Sequence, residues 1–195
     1  MGRLAGIVIA GGEARRFGAD KLLLRDDQNR TLLDVVCSGA ASHADPLIVV
    51  GPERTLSVTV MWTREDPPGG GPGAALIAGL ALVPADVERV VVLAGDSPRG
   101  PLCIPRLNGA LATNRGVAAT LVDAGGREQP ITTLYDIAAL RDVVAAYGDG
   151  ANMSVRRLLD DLRPRGVIGV PDDVGAADDV DRPDDAQRLG FRLDP

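Results

Sequence analysis

Glycine and positive charge come together early in this 195-residue chain, in Gly11-Gly12-Glu13-Ala14-Arg15-Arg16-Phe17-Gly18-Ala19-Asp20-Lys21, directly after the apolar run 4–10. That combination suits a triphosphate. Glycine lets backbone N–H groups approach phosphate oxygens with no Cβ in the way, while Arg16 and Lys21 can neutralise charge that builds on a leaving pyrophosphate. The same string also fits a tight turn followed by a solvated basic stretch. A P-loop is excluded, because it needs Lys directly after Gly and then Ser or Thr, whereas Lys21 lies between Asp20 and Leu22. Gly11-Gly12 does not supply the dinucleotide fingerprint Gly-x-Gly-x-x-Gly either.

Two acidic positions complement the loop. Asp96 follows the apolar run 90–94 in Gly95-Asp96-Ser97-Pro98, which puts a carboxylate just beyond a strand end. Such a group suits Mg²⁺, a hard cation that prefers carboxylate, phosphate and water oxygens and stabilises in-line displacement at an α-phosphorus. A strand-end Asp also serves as a turn former or helix N-cap. Glu65-Asp66 precedes the loop Pro67-Pro68-Gly69-Gly70-Gly71-Pro72-Gly73. An acid there could accept hydrogen bonds from N1–H and the exocyclic amino group of guanine, a pairing cytosine cannot reproduce. The plainer reading of this stretch is a surface loop.

The elements that must carry these residues are legible as a pattern. Apolar runs bounded by Gly or Pro at 4–10, 47–50, 58–62, 90–94, 117–122 and 131–135 read as strands, and helical spacing appears at 31–41, 73–82, 105–112 and 137–146. The alternation predicts βαβ units and one three-layer α/β/α domain over residues 1–195, with a mostly parallel, mixed sheet. Hydrophobic residues make up 45% of the chain but aromatics only 3%, so the core must be built from Val, Leu, Ile and Ala. A net charge of −6 argues against a general nucleic-acid binder. Cys37 and Cys103 are too few for a disulfide framework and lack metal-ligand spacing, and His43 is the only histidine. Zinc sites and histidine triads are therefore poor fits. No apolar run reaches membrane-spanning length and no leader-like segment opens the chain, which points to a cytoplasmic protein without a membrane partner.

Taken whole, the first loop resembles the opening motif of the molybdenum-cofactor guanylyltransferase family, Leu-Ala-Gly-Gly-x-Ser-x-Arg-Met-Gly-x-Asp-Lys, with Ile9, Ala14 and Phe17 as mild departures. The Gly95-Asp96-Ser97-Pro98 turn is similar to that family's Cys-Asp-x-Pro or Val-Asp-x-Pro. Asp178-Asp179-Val180-Asp181-Arg182-Pro183-Asp184-Asp185 resembles its late Asn-x-Asn-Thr-Pro-Glu-Asp, although the tail also fits a solvated acidic run with a short helix start.

The resemblance implies a nucleotide-diphospho-sugar transferase-like fold and Mg²⁺-dependent transfer of GMP from GTP to Mo-molybdopterin. Ile9, Ala10, Gly11 and Gly12 would border the nucleotide, with Arg16 and Lys21 on its phosphates. Asp96 and Asp181 would hold the metal, and Asp66 the guanine. Gly51 falls at a nucleotide contact where the family has asparagine or a similar polar residue, and Pro72-Gly73-Ala74-Ala75 replaces Pro-Leu-Ala-Gly. In Asp123-Ala124-Gly125-Gly126-Arg127-Glu128-Gln129-Pro130, similar to a family hairpin, Arg127 would face the acceptor phosphate or simply solvate a turn. Proteins of molybdenum-cofactor biosynthesis are the implied partners. A cytidylyltransferase of the same fold and a non-catalytic nucleotide-binding protein are the competing readings. Retention of Lys21, Asp96 and Asp181 together favours catalysis over the second of these.

Overall fold

The computed structural model describes residues 2–11, 20–151 and 153–192. Seven strands form one sheet in the order β3-β2-β1-β4-β6-β5-β7. These are β1 Leu4–Ile9, β2 Leu47–Val50, β3 Met61–Thr63, β4 Arg89–Ala94, β5 Ala118–Val122, β6 Glu128–Asp136 and β7 Val167–Pro171. Only β6 runs against its neighbours; every other pairing is parallel. The sheet is thus mixed and mostly parallel, as the βαβ pattern predicts.

Period-two alternation sends the side chains of one strand into two cores. Leu4 and Val8 of β1, with Val91 and Leu93 of β4, meet one face. Ala5 and Ile7, with Val90 and Val92, meet the other. Helices α1 (Leu32–Ala41), α3 (Ile104–Thr113) and α6 (Pro183–Arg188) cover the first face, while α2 (Gly71–Ala81), α4 (Ile137–Val144) and α5 (Val155–Leu162) cover the second. Three layers result. Strands buried on both faces need continuous apolar sequence, which explains the aliphatic runs of β1, β2 and β4. Polar residues open the helices on cue: Thr31, Asp136 and Ser154 each accept a hydrogen bond from a first-turn backbone N–H of α1, α4 and α5.

The strand expected at 58–62 is displaced to Met61–Thr63. The buried Asp34 carboxylate of α1 takes the Ser57 N–H at 2.7 Å and its hydroxyl at 2.9 Å, so the chain is pinned against the helix before it can join β2. Besides α6, whose start the acidic tail allowed for, two elements lie beyond the expected set. In α5, Val155, Leu158, Leu159 and Leu162 carry helical spacing amid a strongly charged sequence, and β7 is a short edge strand interrupted by Gly169.

After β7, Asp172 organises the return of the chain. Its carboxylate accepts the N–H groups of Val174 (3.1 Å), Ala176 (3.0 Å) and Ala177 (2.9 Å). Burial pushes this carboxyl upward, but those backbone donors outweigh it and hold it below the usual carboxylate range. Asp172→Ala is expected to cost about 1–3 kcal/mol at neutral pH, because the N–H groups lose an ionised acceptor. A depressed folded-state value means that this contribution is complete above the unfolded value near 3.9 and is lost as pH falls through the folded one. Denaturation midpoints of both proteins from pH 3 to 7 test this; a gap independent of pH would assign the loss to packing.

Candidate active site

The chain runs outward from β1 through β2 to β3, then returns to place β4 on the other side of β1. Beyond the carboxyl ends of strands at such a reversal a crevice opens. Here it measures about 740 Å³ and is lined by Ile9 and Gly11 at and just past the end of β1, Ala94 and Asp96 at and just past the end of β4, Glu65 and Gly69 from the loop before α2, and Gly71 at the start of that helix. That volume accommodates a nucleotide-sized ligand. The strand ends are locked together, with Ala10 N–H donating to Val50 O (2.8 Å) and Gly95 N–H to Ile9 O (2.9 Å).

Beside this crevice, residues far apart in sequence converge. Lys21 Nζ lies 2.7 Å from Asp96 Oδ2 and 3.0 Å from Asp181 Oδ1. Asp20 caps a short 3₁₀ turn, Lys21–Leu23, through the Leu22 N–H, and this turn presents Lys21. Asp181 arrives because Val180 is buried and its N–H donates to the Asp96 carbonyl at 3.1 Å. Burial pulls the Lys21 ammonium downward, yet Asp96 and then Asp181 more than offset it, so the group stays charged above its ordinary value. Asp179 lies near the same cluster, and desolvation, followed by the charges of Asp181 and Asp96, raises its carboxyl.

An ammonium shared by two carboxylates marks a position where a cation is held. Oxygen donors of this kind suit a hard divalent ion. Among the described residues no group of three metal-ligating side chains converges, so phosphate and water oxygens would supply the remainder of the shell.

Other sequence-derived positions are distributed unevenly. Ile9 and Gly11 lie on the crevice wall, and Ala10 is buried behind it. Gly12 and Arg16 lie outside the described residues. Gly51 supports the site from behind: it has φ +152°, and a Cβ would come within 2.6 Å of the Ala10 carbonyl oxygen and 3.0 Å of Gly11 N. No asparagine fits there without moving β1. Asp66 is exposed and is not among the lining residues, whereas its neighbour Glu65 is buried and on the wall. Glu65 Oε1 accepts the Gly69 N–H at 3.1 Å, and Oε2 is buried with no hydrogen-bond partner among the described residues. The pairing of two acids is the only sequence signal for Glu65; which one faces inward is a matter of packing. Asp179 could have been noticed as the extra acid of its run, and Arg64, also on the wall, carries no signal at all.

Arg127 is exposed on the β5–β6 turn, which Asp123 closes by accepting the N–H groups of Gly125 and Arg127. Arg99 is also exposed. Both cysteines are buried, which pushes each thiol up to about 12, and His43 is exposed. None of these three residues offers an activated nucleophile or base.

A switch-point crevice with glycines on its wall, one ammonium and converging carboxylates fits a nucleotidyltransferase. The family model for the MobA-like NTP transferase domain matches residues 6–165, and the chain belongs to that family. It is 35% identical over 167 residues to a probable molybdenum cofactor guanylyltransferase of Mycolicibacterium paratuberculosis, covering 81% of each chain. Its fold is similar to molybdopterin-guanine dinucleotide biosynthesis protein A from Archaeoglobus fulgidus (TM-score 0.71, 18% identity, covering 95% and 96% of the two chains). It is also similar to Rv0371C of Mycobacterium tuberculosis in a complex with manganese (TM-score 0.67, 21% identity, covering 97% and 98%). No helix among the described residues is long and apolar enough to cross a membrane.

Proposed function

We propose that this chain transfers GMP from GTP to the phosphate of Mo-molybdopterin with Mg²⁺ and releases pyrophosphate. The observation that carries this reading is the convergence of Lys21, Asp96 and Asp181 beside the β1/β4 crevice. An oxygen of the acceptor phosphate bonds to the α-phosphorus of GTP while the bond from the α-phosphorus to the α,β-bridging oxygen breaks, so that oxygen and the electron pair leave with pyrophosphate. No protein nucleophile is required. Mg²⁺, when bound at Asp96 and Asp181, supplies charge neutralisation on the reacting phosphates. Lys21, and Arg16 in the first loop, act on the phosphate chain, where fixed positive charge stabilises the leaving group. Pyrophosphate release from each of the four triphosphates, with Mo-molybdopterin as acceptor, tests the assignment. A preference for CTP would make the chain a cytidylyltransferase, and saturable triphosphate binding without turnover would make it a binding protein.

The base reading rests on the Glu65-Asp66 pair. What favours Glu65 over Asp66 is its place on the wall and its unpartnered Oε2, since a buried acceptor without a donor is costly and a guanine N–H would satisfy it. Glu65→Gln is expected to reduce the preference for GTP over ATP by tenfold or more, because the amide turns a donor toward guanine's own donors. Asp66→Asn should retain it. Dissociation constants measured for both nucleotides check this, and loss of preference in Asp66→Asn alone would return the role to Asp66.

A further inference from the structure

Arg54 lies between β2 and β3, away from the lining of the crevice, yet its side chain is only 12% exposed. Its guanidinium reaches both flanks of the first loop. Nε and Nη2 donate to Asp20 Oδ2 at 2.9 and 2.7 Å. Nη1 donates to the carbonyl of Pro52 at 2.9 Å and, more weakly, to that of Ala10 at 3.4 Å. Ala10 is where the chain leaves β1, and Asp20 immediately precedes Lys21. The second Asp20 oxygen accepts the Leu22 N–H at 3.1 Å, so the carboxylate that Arg54 grips is also the cap of the turn presenting Lys21.

We propose that Arg54 is a positioning residue that clasps the two ends of the glycine loop and thereby sets where Lys21 stands. Only a guanidinium does this. Its planar fork offers several donors in fixed directions and keeps its charge when buried, whereas a lysine has one nitrogen and no fork with which to span Asp20 and the Ala10 carbonyl. Its position away from the crevice wall means that it acts through Asp20. An error of about 1 Å in a group that meets a reacting phosphate costs on the order of 10²-fold in rate, so the clasp governs turnover more than ground-state binding.

The test compares wild type with Arg54→Met, Arg54→Lys, Asp20→Asn and the Arg54→Met/Asp20→Asn double variant. In the free protein, amide exchange at Leu22, Leu23 and Leu24 should accelerate at least tenfold in Arg54→Met, while Val91 and Val92 in the sheet centre keep their protection. Arg54→Lys should recover part of the lost protection. In turnover assays kcat should fall about 10²-fold with a smaller change in KM for GTP. The double variant should be no worse than either single one, because both break the same contact. Equal acceleration of all these amides would reduce Arg54 to a general stabiliser, and unchanged exchange at Leu22–Leu24 would overturn the proposal. The exchange measurement needs no substrate, so a failure of the guanylyl-transfer reading leaves this result readable.

Discussion

Asp96→Ala is expected to lower Mg²⁺-dependent pyrophosphate release on the order of 10³-fold while leaving the protein folded. The carboxylate is the part of this residue that the site uses. Its backbone work survives the substitution: the Asp96 carbonyl still accepts the Val180 N–H, and the adjacent Gly95 N–H still donates to Ile9. The lost ion pair lies at a partly open position, where Lys21 keeps Asp181 as a partner. A thermal midpoint within a few degrees of wild type should therefore accompany the loss of turnover. Mn²⁺ affinity, followed by electron paramagnetic resonance, should weaken in parallel. Full turnover in Asp96→Ala would remove the carboxylate from the metal assignment.

Removing Lys21 should separate two quantities that Asp96→Ala moves together. Lys21→Ala is expected to slow transfer on the order of 10²-fold, since a charge-assisted contact at a developing charge disappears. In the protein without nucleotide, however, Mn²⁺ should bind more tightly. The ammonium bridges Asp96 Oδ2 and Asp181 Oδ1, so it competes with any metal for those oxygens, and among the described residues no other cation is paired with these two like charges. Turnover falling while metal affinity rises would be hard to obtain from a surface lysine. An unchanged rate together with unchanged affinity for GTP and for Mn²⁺ would return the segment to a simple basic turn.

How much of this was legible in the linear chain follows from what each feature depends on. The aliphatic runs of β1, β2 and β4 are local signals, because a strand buried on both faces has to be apolar throughout. Lys21 stood out for a similar reason, as a cation closing a glycine-rich loop directly after a strand. Asp96 was visible because ligands gather beyond strand ends in open α/β sheets, and the residue after an apolar run is identifiable without a structure. Asp181 depended on the resemblance of its motif, since nothing in an acidic tail distinguishes a metal ligand from a solvated charge.

Tertiary structure alone decided the meeting of these residues. Lys21 and Asp181 are 160 positions apart, and they touch because the chain after β7 is folded by Asp172 and tied by Val180 to the end of β4. It also decided which of two adjacent acids turns inward: both lie past the end of β3, where no strand alternation assigns a side, and the fold of the loop buries Glu65 against the Gly69 N–H while leaving Asp66 exposed. Gly51 looked like a lost polar contact, but the Ala10 carbonyl occupies the space an asparagine would need. Arg54 had no mark in sequence whatever. Its importance arises from a guanidinium whose partners, Asp20 and Ala10, are contributed by other segments, and such long-range pairings leave no local periodicity to read.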